Sequence, residues 1–96
     1  MNLITVEGES LQVIHTGNLN TNQGPDFSAA KIKIGNTTWA GNIELHIHSS
    51  DWKKHQHDND KNYKNVILHV VWKHDIDLQF PFPTLELKSA SSHNYY

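Results

Sequence analysis

The sequence predicts an α/β (α+β) domain, a mixed sheet of about five strands carrying one short helix. Three observations predict it. Residues 29–48 alternate apolar and polar on either side of Gly35-Asn36, residues 66–72 are apolar on both alternating faces, and Ser49-Ser50-Asp51 between them has the chemistry of a helix start.

Taken in chain order, Leu11-Gln12-Val13-Ile14-His15-Thr16 has the β-branched content of a short strand and stops at Gly17. Residues 17–27, GNLNTNQGPDF, are rich in Asn, Gly and Pro, which tolerate or preset the backbone angles of turns, and read as a loop. Residues 29–34 and 37–48 then form a hairpin about Gly35-Asn36. On its second arm Trp39, Gly41, Ile43, Leu45 and Ile47 share one face, expected to be the covered one. Asn42, Glu44, His46 and His48 share the other. Ser49-Ser50-Asp51 caps a short helix with an acidic first turn, running through Trp52 to His55 and ending in the polar run 56–65. Residues 66–72 are a central strand covered from both sides and the best core candidate. Phe80-Pro81-Phe82-Pro83 cannot lie inside a sheet, because proline lacks the ladder N–H. Residues 84–88 alternate again and read as an edge strand.

Ninety-six residues make one modest core, so the expected organisation is a single strand-rich domain over residues 1–88 and a frayed tail over 89–96. No apolar run is long enough to cross a bilayer as a helix, and mean hydropathy is −0.62. The first residues lack the basic and apolar stretches of a secretory signal, so the expected compartment is the cytoplasm. With no Cys there are no disulfides and no thiolate metal ligands, which leaves His, Asp and Glu. Eight Lys, no Arg and ten acidic residues give a formal net charge of −2, unlike a basic nucleic-acid-binding surface. The eight His make that charge sensitive to mild acidification.

The residues able to do chemistry are concentrated between Asp26 and His57. Asp26 follows Gly24-Pro25 and serves equally as a turn residue or as a cation ligand. Glu44 is not a favoured strand residue, which favours a functional reading over a merely solvated face. His46 and His48, one strand period apart, can place two imidazoles on one ion, although histidines on a solvated sheet face are commoner. His55 and His57 can pair only in extended chain, since on a helix two residues are roughly 200 degrees apart. His69 lies inside an apolar strand and reads as a core histidine bonded to a carbonyl or carboxylate. Trp39, Trp52 and Trp72 read as core or rim packing.

Two resemblances bear on these residues. Pro25-Asp26 followed by Glu44-Leu45-His46 resembles the PD-(D/E)xK nuclease superfamily, with His46 in place of the motif lysine. That likeness implies a restriction-endonuclease-like core lacking its first helix. It further implies that Asp26 and Glu44 grip Mg²⁺ or Mn²⁺, with His46 as base or third ligand, and that nucleic acid is the partner. Over residues 11–88 the chain is also similar to domain-of-unknown-function family 2851. The matching segments are Gly24-Pro25-Asp26-Phe27, residues 39–46 (WAGNIELH), Ser50-Asp51-Trp52, His55-Gln56-His57 and residues 66–71 (VILHVV). This likeness implies that 96 residues are a portion of a longer family body.

Three functions therefore stand as expectations. The first is divalent-metal-dependent phosphodiester cleavage by Asp26, Glu44 and His46. The second is a non-catalytic metal-binding module in which His46, His48, His55 and His57 hold Zn²⁺. The third is a structural or assembly domain whose open sheet edges take flanking segments or a second copy of the chain.

Overall fold

The computed structural model describes residues 3–21, 24–54, 65–76 and 80–88. Its elements are β1 (Leu3–Ile4), β2 (Ser10–His15), β3 (Asn18–Leu19), β4 (Phe27–Ile34), β5 (Thr37–His48), α1 (Asp51–Lys54), β6 (Val66–Lys73) and β7 (Thr84–Glu86). All seven strands belong to one sheet of order β1-β2-β4-β5-β6-β7, with β3 paired to the start of β4. Pairings from β1 to β5 are antiparallel, and β5–β6 and β6–β7 are parallel.

The sheet nearly closes on itself. Just beyond β1, the Val6 amide donates to the Thr84 carbonyl of β7 at 2.8 Å, and the Thr84 amide donates to Glu7 Oε1 at 3.3 Å. This overturns the expected α/β architecture and its restriction-endonuclease-like core: the described residues form a barrel-like mixed sheet with seven strands, not about five. The physical reason is coverage. An α/β layer needs helices long enough to bury a sheet face, and among the described residues α1 runs only over Asp51–Lys54. Bulges in β4 and β6, on either side of the twelve-residue β5, instead kink the sheet, which curls until it buries its own inner face.

The hairpin appears where expected, with Gly35 at φ 58° in its turn. So does the central strand, since β6 lies between β5 and β7. The predicted strand 11–16 is Ser10–His15, and the predicted loop 17–27 contains β3. The edge strand 84–88 is confined to Thr84–Glu86, and its outer side meets the chain after β1. The Ser49-Ser50-Asp51 cap takes a different form. Asp51 Oδ2 accepts from the His48 amide at 3.1 Å, and both serine hydroxyls turn to Asp75. Residues 89–96 lie outside the described residues.

Burial on β5 departs from the expected face. Of the apolar set only Ile43 is buried; Trp39, Leu45 and Ile47 are exposed, while Glu44 is buried. Ile43 joins Leu11, Ala30, Ile32, Ile34, Leu68 and Leu85 in the main core, and Leu45 and Ile47 run past it. The opposite face is covered by Trp52 and Phe82, which form a second cluster with Val66 and the partly buried Phe80. A bulge explains how β6 serves both clusters. Asn42 pairs with Val66 and Ile43 with Leu68, so Ile67 is the extra residue and Val66 turns to the second face. Gly41 lies beside this bulge, where a Cβ would sit 2.5 Å from the Asn65 carbonyl oxygen.

Candidate functional site

Two irregularities in the sheet set the site. In β4, Phe27 pairs with Ile43 and Ala30 with Gly41, so the chain carries one extra residue there, and Ala29 takes the left-handed region at φ 59°. Bulges commonly re-aim side chains at a sheet margin. Immediately before this one the β4 ladder ends, and the next amide along β5, that of Leu45, receives a side chain in place of a carbonyl. Asp26 Oδ2 accepts it at 2.8 Å. The second irregularity, at Ile67, lies on the other side of β5, one residue before Glu44.

Glu44 Oε1 lies 3.2 Å from the same Leu45 amide. The Asp26 and Glu44 oxygens thus share one N–H and are no farther apart than those two distances laid end to end. Asp26 is half-buried and Glu44 is 4% exposed. Like charges repel, and a buried carboxylate is ordinarily held by hydrogen bonds, a proton or a cation. A hard divalent cation is one such partner. Mg²⁺ in particular is held by one or two carboxylates and keeps several waters, so Asp26 and Glu44 are the residues that could hold one.

His46 follows Glu44 by one strand period, on the same side of β5, and is half-buried. Its Nδ1 lies 2.9 Å from Nε2 of His69. The rings are nearly perpendicular, at 88°, with centroids 5.0 Å apart. His69 is fully buried on β6, paired in register with Glu44 on one side and Thr84 on the other. Trp52, Phe80 and Phe82 enclose it, with ring centroids at 5.5, 5.4 and 5.9 Å. The core position expected of His69 is observed, with His46 Nδ1 within hydrogen-bond distance of its Nε2.

Of the other candidates, His48 is exposed, and His55 and His57 lie outside the described residues. Among the described residues no group of three or more His, Asp or Glu is arranged to hold a metal ion. The site is therefore a pair of carboxylates beside a pair of imidazoles. Trp52 is buried as core, whereas Trp39 and Trp72 are about half exposed.

Asp75, not foreseen, ties the rim of the site together. Its carboxylate accepts from the Ser49 hydroxyl at 3.0 Å, the Ser50 amide at 3.0 Å and the Ser50 hydroxyl at 2.8 Å. Its own amide donates to Ser49 Oγ at 3.0 Å. The turn after β5 is thereby fastened to the chain leaving β6. The Ser50 amide and hydroxyl hold the Asp75 carboxyl well below its ordinary 3.8, at about 2, with Ser49 adding to the effect and burial opposing it. A run of serines facing an aspartate 25 residues on leaves no local pattern, because the contact depends on the parallel crossover.

Among the described residues no helix is long and apolar enough to cross a membrane. The model of the family described as "Protein of unknown function (DUF2851)" matches residues 1–96. No curated protein and no solved structure matches the chain. The chain belongs to the DUF2851 family.

Proposed function

We propose that this DUF2851 protein is a divalent-cation-assisted hydrolase of phosphodiester bonds, with Asp26 and Glu44 as cation ligands and His46 as the base. The observation that carries the reading is the convergence of Asp26 Oδ2 and Glu44 Oε1 on the Leu45 amide. Glu44 is buried and Asp26 half-buried, so the pair sits where its oxygens are largely withdrawn from water. The phosphodiester as substrate rests on the local likeness of Pro25-Asp26 and Glu44-Leu45-His46 to the PD-(D/E)xK motif, since the fold itself does not carry it.

When bound, Mg²⁺ or Mn²⁺ supplies electrostatic stabilisation of the charge that builds on the phosphoryl group. Asp26 and Glu44 would hold it, their Oδ2 and Oε1 both lying within reach of the Leu45 amide. His46, one strand period along, takes the proton from the attacking water. With a net charge of −2, the chain attracts a polyanion chiefly through the cation and not through its own surface.

The test is cleavage of single- and double-stranded DNA with Mg²⁺, Mn²⁺ or Zn²⁺, alongside calorimetric titration of each metal. Wild type should bind and cleave with Mg²⁺ or Mn²⁺. Asp26→Asn and Glu44→Gln should lose metal affinity and rate together. His46→Ala should lose on the order of 10²–10⁴-fold in rate, while His48→Ala should change little. Binding without cleavage would reduce the reading to a metal-binding module, and failure to bind any of the three metals would end it.

A further inference from the structure

We propose that a shallow concavity on the sheet face opposite the main core, with Lys31 and His15 at its rim, seats a backbone phosphate of the nucleic-acid strand that the Asp26–Glu44 site is proposed to cleave. The inference rests on the proposed function for the identity of that strand and adds a second point of contact to it. The concavity measures about 470 Å³ and is lined by Ile14, His15, Ala29, Ala30, Lys31 and Ala40.

Two neighbouring bulges shape it. In β2, Val13 pairs with Ile32 and His15 with Lys31, so Ile14 is the extra residue. In β4 the extra residue falls between Phe27 and Ala30, where Ala29 holds a φ of 59° that an L side chain rarely adopts. Gly17, at φ 82°, closes against this second bulge so tightly that a Cβ on it would collide with the Ser28 carbonyl oxygen. Backbone held in such a conformation gathers at ligand sites. Ala29 and Ala40 are both exposed and carry only a methyl each, which keeps the floor low beside the longer side chains.

The rim supplies donors. Lys31 pairs with His15 on one side and Ala40 on the other, which sets the three in a row across β2, β4 and β5. The Gly17 amide donates to His15 Nδ1 at 2.8 Å. That nitrogen is therefore the bare one of the neutral ring, and Nε2 carries the proton. An ammonium and an imidazole N–H thus stand at the rim, and no carboxylate is among the lining residues. Lys33, one strand period along β4, adds a second ammonium on the same face. Among the described residues neither lysine is held in an ion pair. Donors without acceptors over an apolar floor suit an oxyanion.

Position selects the phosphodiester as that anion. Strand alternation puts Ala40, Asn42, Glu44 and His46 on one face of β5, so the concavity and Glu44 share a face. The cluster of Trp52 and Phe82 covers this face around His69 and leaves Ala40 exposed. Ala40 and Glu44 are separated by roughly 13 Å of strand, at about 3.3 Å per residue. A nucleic-acid strand covers that distance in about four nucleotides, at about 3.4 Å of rise each. The chain as a whole carries a net charge of −2, so the concavity does not draw a polyanion from afar. A phosphate contact here fixes the register of a strand already held at the cation.

The experiment compares wild type with three variants. Lys31→Gln removes the rim ammonium, Ala40→Glu places a carboxylate on the floor, and Lys88→Gln removes the same charge from an exposed lysine elsewhere. Lys31 and Ala40 are both exposed, so neither substitution disturbs the core. Binding of a labelled single-stranded phosphorothioate oligodeoxynucleotide, which resists cleavage, is followed by fluorescence anisotropy with Mn²⁺ as salt is raised. Cleavage of the ordinary oligonucleotide is compared with cleavage of a dinucleotide, too short to reach from Glu44 to Lys31. Lys31→Gln should flatten the plot of log affinity against log salt by about 0.7, the value for one phosphate contact on a single strand. It should also raise the oligonucleotide KM with kcat unchanged. Ala40→Glu should weaken oligonucleotide binding, Lys88→Gln should match wild type, and the dinucleotide should be cleaved equally by all four proteins. An unchanged slope in Lys31→Gln, or an equal flattening in Lys88→Gln, overturns the inference. So does dinucleotide cleavage that suffers as much as that of the oligonucleotide. If the slope changes as stated and nothing is cleaved, the phosphate subsite stands and the hydrolase reading fails. If wild type cleaves and Lys31→Gln and Ala40→Glu match it on both substrates, the subsite fails and the hydrolase reading stands.

Discussion

Thr84 shows how much a single residue at the barrel seam has to reconcile. Its amide and carbonyl both serve the junction between the chain after β1 and β7, and its side chain is fully buried. Among the described residues its hydroxyl has no hydrogen-bond partner. A buried unsatisfied hydroxyl costs about 1–3 kcal/mol, so Thr84→Val, which keeps the shape, should raise stability by about 1 kcal/mol in urea unfolding. Asp75 acts in the opposite sense. Its folded pKa of about 2 lies below the ordinary 3.8, so the ionised form is favoured by folding. The resulting stabilisation is fully present above 3.8 and drains away as pH falls from there through 2. Urea unfolding across that acid range should show a loss of stability that Asp75→Asn lacks. At this scale the sequence was partly legible. Asp26, Glu44 and His46 could be singled out because acids and imidazoles at strand spacing stand apart from their neighbours. The partnership of His46 with His69 could not, because it depends on which residues two parallel strands set side by side.

At the scale of elements, β6 carries the most weight, since it faces one cluster through Leu68 and the other through Val66. Leu68→Ala should cost about 2–5 kcal/mol, the range for a buried leucine in a packed core, and an unchanged melting temperature would show β6 to be peripheral. The bulge at Ile67 makes a separate prediction at Gly41. A methyl there meets the Asn65 carbonyl oxygen at 2.5 Å and Ile67 Cγ2 at 2.6 Å. Gly41→Ala should therefore destabilise by about 1–3 kcal/mol, the usual cost of overpacking, although alanine is the less flexible residue in the unfolded chain. The hairpin and the central strand were legible because alternation and a doubly apolar run are local signals. The face of β5 was not. Alternation correctly separates Ile43, Leu45 and Ile47 from Glu44 and His46, but it says nothing of where the core ends or what Trp52 and Phe82 cover.

For the whole molecule, closure decided the architecture, and closure is a non-local property. It rests on hydrogen bonds between Val6, Glu7 and Thr84, residues far apart in sequence with no pattern linking them. A sheet curled this way holds Asp26 against the Leu45 amide of β5 and keeps Glu44 out of water, so folding and the candidate site are coupled. A cation that compensates this carboxylate pair must stabilise the fold, since the unfolded chain does not bring Asp26 and Glu44 together. The most direct measurement is the unfolding free energy of the wild-type protein and of Glu44→Gln as a function of Mn²⁺ concentration. Wild-type stability should rise by about 1.4 kcal/mol for each tenfold increase in Mn²⁺ above its dissociation constant, and Glu44→Gln should show no such rise. A wild-type stability indifferent to Mn²⁺, or an equal rise in Glu44→Gln, would contradict the assignment of Asp26 and Glu44 as a cation site.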